Sequence, residues 1–236
     1  MSEQSLLRYE ITGGEAFGAV TIHLDKPGQQ IVAEGGAMIY MTGGVKMNTK
    51  STGGIMKGLK RTFSGESMFQ NYFELEPDSQ TGFVTFAPGV PGSIVHLHLH
   101  QGEGWTLSQG AYIAGTPSVQ VDTRKGGFKQ MFGGEGFFLV DIKTDAEGDV
   151  WMGGYGFIER HEVKAGEEFI VDNGVMLAFQ SHMEYSLSKV GGKKSFFLGG
   201  EGVVIRYKGP GIVYTQNRDI GALATLLKAF FPSNRG

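Results

Sequence analysis

Three histidines alternate with two leucines in the middle of the chain, as His96-Leu97-His98-Leu99-His100. Side chains at every second position of a β-strand share one face, so a strand here lines up three imidazoles. Glu103 follows after a two-residue gap. His98, His100 and Glu103 together are a donor set for Fe, Mn, Ni or Zn. The same alternation also describes an amphipathic strand whose wet face carries histidine. That second reading is favoured, because the histidines fall in only one of the internal repeats described below.

Other catalytic patterns are missing. His161 beside Glu162 and His182 near Glu184 do not make a His-Glu-x-x-His helix. The Gly-x-Gly triplets at 102–104, 134–136, 154–156, 200–202 and 209–211 lack the third glycine of a dinucleotide loop and the Gly-Lys-Ser/Thr of a P-loop. There is no cysteine, which excludes disulfides and thiol catalysis and fits a reducing compartment. A net charge of -3 makes no case for bulk binding to nucleic acid.

The elements that must carry these residues are strands. Runs such as GAVTIHLD (18–25), GFVTFA (82–87), SIVHLHLH (93–100), FFLVDIK (137–143) and VVIRYK (203–208) are short, β-branched or aromatic, and bounded by turn formers. The chain holds 39 glycines, 17 phenylalanines and only 7 prolines among 236 residues, which is turn chemistry around a core rather than disorder. The expected fold is all-β, a β-sandwich or double-stranded β-helix built from three tandem repeats. Helical periodicity enters only at 219–231, where Leu223, Leu226, Leu227, Phe230 and Phe231 share a face, Asp219 can cap and Pro232 can stop. That helix is expected to pack on its own sandwich or on a neighbouring subunit.

The repeats are visible as GLKRTFSGESMFQNYFEL (58–75), GGFKQMFGGEGFFLVDIK (126–143) and GGKKSFFLGGEGVVIRYK (191–208). Their glutamates, Glu66, Glu135 and Glu201, stand 69 and 66 residues apart. The turn glycines Gly36, Gly110 and Gly174 stand 74 and 64 apart. The division expected is one domain of three units, at about 1–100, 101–167 and 168–218, with the helix at the end. Each repeat carries a basic, aromatic turn: Lys57, Lys60, Arg61 and Phe63, then Lys125, Phe128, Lys129 and Phe132, then Lys193, Lys194 and Phe197. Gathered at one end, these turns would form a surface for anionic groups.

The stretch GGIMKGLKRTFSGESMFQNYF (53–73), the later GGEGFFL and GGEGVVIRY, and the closing Asp-x-Gly-Ala-Leu-Ala resemble the family named for altered inheritance of mitochondria. The resemblance spans essentially the whole chain. It implies bacterial relatives of unknown function, a fold related to the tryptophan RNA-binding attenuation protein, tandem repeats and a trimer. It implies no catalytic residues. A partial resemblance to the cupins comes from Gly92, a five-residue gap, His98-x-His100, Glu103 and Gly110. The spacer before Glu103 is short for that motif, and its second half is missing downstream.

The favoured expectation is a non-enzymatic, oligomeric scaffold or binding protein that needs no cofactor. It would engage a membrane surface or membrane protein through its basic turns. A cupin-like metal-dependent enzyme using His98, His100 and Glu103 is the alternative, and RNA binding, on fold analogy, a third. The N-terminus MSEQSLLRYEITGGE lacks a signal or presequence pattern, and no run approaches the roughly 18 apolar residues that span a bilayer. The expected location is cytoplasmic, extending to the membrane periphery.

Overall fold

Glycine turns and alternating apolar residues produce the strands expected of them. The computed structural model describes residues 5–50, 70–123, 139–189, 203–228 and 230–231. The first unit holds β1 (Tyr9–Thr12), β2 (Ala19–Leu24), β3 (Gln30–Glu34), β4 (Met38–Met41), β5 (Val45–Lys50), β6 (Gln70–Leu75) and β7 (Gly82–Phe86). The second holds β8 (Ile94–Leu99), β9 (Gly104–Ser108), β10 (Tyr112–Gly115), β11 (Val119–Thr123), β12 (Leu139–Thr144) and β13 (Gly148–Gly153). The third holds β14 (Ile158–Val163), β15 (Glu168–Asp172), β16 (Met176–Gln180), β17 (Glu184–Lys189), β18 (Val203–Lys208) and β19 (Gly211–Gln216), and α1 (Ile220–Lys228) follows. The described residues are all-β apart from this short helix and one 3-10 turn.

One antiparallel wiring recurs in every unit. The first strand pairs with the last and the last with the third, as in β8-β13-β10. The second pairs with the fifth and the fifth with the fourth, as in β9-β12-β11. The same pairs recur as β2-β7-β4 with β3-β6-β5, and as β14-β19-β16 with β15-β18-β17. β1 is an addition at the edge of β2. The repeat therefore begins at β2, β8 and β14, one strand earlier than division at 101 and 168 places it.

The wiring repeats down to a bulge. Met38 faces Phe86 and Tyr40 faces Thr85, so Ile39 is an extra residue. Ile113 and Leu177 are extra at the matching places in β10 and β16. The turns before β4 and β10 need the left-handed backbone that only glycine adopts freely, with φ of 94° at Gly36 and 78° at Gly110. At the third repeat the chain instead takes a short 3-10 turn over Asn173–Val175, capped by the Asp172 side chain.

Three apolar cores follow the three units, the first two also taking in residues of the next unit, such as Trp151 and Tyr214. Phe73 and Phe86 lie in the first, 5.3 Å apart and edge to face. Leu99, Leu107 and Val150 lie in the second, and Phe179, Ile205 and Tyr207 in the third. Units join where β3 pairs with β10 and β9 with β16, giving two six-stranded sheets. The outermost sheets are β1-β2-β7-β4 and β15-β18-β17.

The helix spans Ile220–Lys228, inside the expected 219–231. Asp219 caps it, accepting from the Gly221 and Ala222 amides at 2.8 and 3.2 Å. Among the described residues it is little covered: no residue of α1 is buried, Leu223 is half-buried, and Leu226 and Leu227, with Phe230 and Phe231 beyond the helix end, are exposed.

Candidate metal centre

Among the described residues β8 is an outer strand, bonded only to β13, with His98 directly opposite Asp149 and His96 opposite Trp151. Alternation does what the sequence predicts of it. Leu97 and Leu99 turn into the core of the second unit, and His96, His98 and His100 take the other face.

That face is sheltered at His96 and His98 and open at His100, so the expected wet face holds only at the strand's end. The His98 side chain is only 9 % exposed, against 53 % for His100. His96 stacks between Tyr9 and Trp151, with ring centroids at 4.8 and 5.2 Å. The segment before β1 closes over the top and is pinned by a buried carboxylate. Asp149 Oδ2 accepts from the Leu6 amide at 2.6 Å and from the Ser5 hydroxyl at 2.9 Å. Its Oδ1 lies 2.8 Å from His96 Nε2 and 2.9 Å from His98 Nδ1. An anion this deep is tolerable only when so fully bonded.

These contacts set the charges. Burial pushes the Asp149 carboxyl up, but bonds from His96, His98, Leu6 and Ser5 outweigh it and hold it below the usual range. The bond to Asp149 raises His98, helped against desolvation by Glu147. The bond from His98, and then that from His100, lowers Glu147.

Glu147, on the turn before β13, completes the cluster. Its Oε2 lies 2.7 Å from His98 Nε2 and 3.1 Å from His100 Nδ1. The three ligand atoms of His98, His100 and Glu147 all fall within 4.8 Å of one another. A tetrahedral zinc with ligand bonds of about 2.1 Å wants its donors roughly 3.4 Å apart, so small side-chain rotations suffice. Asp149 on the other nitrogen of His98 is the outer carboxylate that fixes the ring and its tautomer in histidine metal sites.

Glu103 does not join these groups. Its carboxylate accepts the His100 amide at 2.9 Å, and its own amide returns to the His100 carbonyl at 3.0 Å. It closes the β8–β9 turn. Glu147 and Asp149 were the residues missed, in DAEGDVWMG, where a carboxylate interrupts an apolar run. A charge inside a buried strand was the available signal. The basic aromatic turns, Lys57, Lys60, Arg61, Phe63, Lys125, Phe128, Lys129, Phe132, Lys193, Lys194 and Phe197, lie outside the described residues.

An uncharacterized protein of Streptococcus pyogenes serotype M6 is 29 % identical, over 97 % of this chain and 92 % of that one. A crystal structure of a Streptococcus pyogenes protein superposes with a TM-score of 0.77 at 26 % identity, covering 95 % of this chain and all of that one. Among the described residues no helix is long and apolar enough to cross a membrane. With residues 9–218 matching the family described as Mitochondrial biogenesis AIM24, the chain belongs to that family, whose function is unknown.

Proposed function

We propose that this chain binds a divalent transition-metal ion through His98, His100 and Glu147. The observation that supports it is the convergence of two imidazoles and a carboxylate, with Asp149 bonded to the far nitrogen of His98. Borderline nitrogen donors with one carboxylate suit zinc and its neighbours better than calcium or magnesium. His100 and Glu147 are solvent-facing, so a bound ion keeps coordination positions open to water or to a donor from a partner. Metal would displace the proton that His98 shares with Glu147, so affinity rises with pH.

The test is zinc titration by calorimetry with metal analysis of protein purified without chelator. One ion per chain is expected, lost in His100→Ala and weakened in Glu147→Gln. Binding that neither substitution changes, or no binding at millimolar zinc, overturns it.

A second reading, a non-enzymatic scaffold at an anionic membrane surface, is favoured by α1, whose apolar residues are exposed beside Lys228. Co-sedimentation with phosphatidylglycerol vesicles checks it. Loss of binding in Leu226→Asp/Phe230→Asp supports this reading, and binding unchanged by those substitutions removes it.

A further inference from the structure

A cleft of about 920 Å³ opens where the second unit meets the third, and it shares no residue with the His98 cluster. Its walls come from the turn at 108–111, the connection at 153–155, the turn at 172–177 and the start of α1 at 219–221.

The repeat shows why space stands here. Phe86, Met152 and Thr215 are equivalent, since they face Met38, Tyr112 and Met176 just before each bulge. Two residues on, Pro88, Gly154 and Asn217 are equivalent as well. Pro88 and Ile113 close on Gly153 of the second unit: a Cβ there would meet the Pro88 Cβ at 2.7 Å and the Ile113 Cδ1 at 2.9 Å. Over the third unit Gly154 holds the place of Pro88 and brings no side chain to it. Gln216 holds the place of Gly153. Its Oε1 accepts from the Tyr155 amide at 2.9 Å and its Nε2 donates to the Gly174 carbonyl at 3.4 Å, so it ties the connection to the turn.

The lining selects the guest. Ala111, Met176 and Leu177 are buried apolar wall. Ile220, on the α1 side, is 50 % exposed and would be covered by an apolar body seated in the cleft. The charged groups are Asp172 and Asp219, and among the described residues no lysine, arginine or histidine lines the space. Asp219 is engaged by the α1 amides. Asp172 Oδ1 accepts from the Gly174 amide at 2.8 Å, and among the described residues its Oδ2 meets no donor. Two carboxylates disfavour an anion. A calcium ion takes about six to eight oxygens, which one open carboxylate oxygen beside apolar walls does not supply. A wholly apolar guest would strip water from Asp172 and put nothing in its place. An organic cation with an apolar body meets both conditions.

We propose that this cleft binds a small organic amine, its protonated head on Asp172 Oδ2 and its apolar body against Met176, Leu177 and Ile220. The volume suits a ligand of ordinary small-molecule size. The site needs no metal at His98.

Calorimetry with phenylbutylamine, phenylbutanol and phenylbutyrate separates head from body. The amine should bind most tightly, the alcohol more weakly and the carboxylate not at all. Asp172→Asn keeps an oxygen for the Gly174 amide, so the turn survives while the charge goes. In that variant the amine should lose about tenfold in affinity and the alcohol nothing. Hydrogen exchange under the amine should slow at 153–155 and 172–177. No binding at millimolar amine overturns the proposal. So does an amine that binds no better than the alcohol, or that keeps its affinity in Asp172→Asn. Protection falling only outside the cleft overturns it too. Equal weakening of amine and alcohol in the variant also counts against it, because the shape of the turn and not its charge would then be at work.

Discussion

His98 stands directly across the β8–β13 ladder from Asp149, and its Nδ1 lies 2.9 Å from the Asp149 carboxylate. That carboxylate also holds His96, Ser5 and Leu6. One buried side chain therefore joins the N-terminal segment, the outer strand and the imidazole that meets Glu147.

Asp149→Asn is predicted to destabilise the fold by about 2–3 kcal/mol, since an amide presents a donor where four donors converge. Urea unfolding measures the loss. Amide exchange at Leu6 should quicken more than exchange in the third unit, because the anchor of the N-terminal segment is what fails. Equal exchange at both places would mean that the segment is held by its apolar contacts instead.

The same cluster gives the apo protein a pH window. His98 is raised in the folded state, so its stabilisation is full below the ordinary 6.5 and is lost as pH rises through the folded value. Asp149 is lowered, so its stabilisation is present above the ordinary 3.8 and is lost as pH falls through the folded value. In chelator, thermal stability should fall as pH rises above 6.5, and His98→Gln should flatten that limb while leaving the acid limb. A limb of unchanged steepness in the variant would assign the loss to other groups.

Much of this architecture was legible in the sequence. Alternation in SIVHLHLH put Leu97 and Leu99 in the core and the histidines together, and the Gly36 and Gly110 turns marked the repeat. Strand alternation is local, so it survives without knowledge of partners. Register is not local: nothing in HLHLH says that DAEGDV lies across the ladder, so Glu103, the neighbour in sequence, stood in for Glu147, the neighbour in space. Cover by a distant segment is equally hidden, and Ser5, Leu6 and Tyr9 convert an apparently wet face into a sheltered one. Helical periodicity marks Leu223, Leu226 and Leu227 of α1 as one face, but periodicity does not say what the face meets.

Glu34, the last residue of β3, is pushed up to about 7 by burial. A raised carboxyl costs nothing below its ordinary 4.5, where both folded and unfolded chains are protonated. The cost grows as pH rises from there toward 7, because ionisation must then occur in a poorly hydrated site. Glu34→Gln should therefore leave stability unchanged near pH 4 and raise it at pH 8, on the order of 1–3 kcal/mol. Urea midpoints at both pH values test it. Equal gains at both would point to propensity or packing in place of charge.

The two glutamates nearest His100 should separate cleanly. Glu103 bonds the backbone of its own turn, whereas Glu147 faces the imidazole rings. Glu103→Ala removes a turn closure and should cost about 1 kcal/mol of stability, with zinc affinity changed little. Glu147→Ala removes a ligand and should lower zinc affinity at least tenfold. Because Glu147 is half exposed, its loss should leave the urea midpoint almost unmoved. Calorimetry and unfolding on the same two variants read both axes. The reverse pattern, affinity lost with Glu103 and kept without Glu147, would restore the assignment suggested by sequence spacing and remove the one drawn from the β8–β13 ladder.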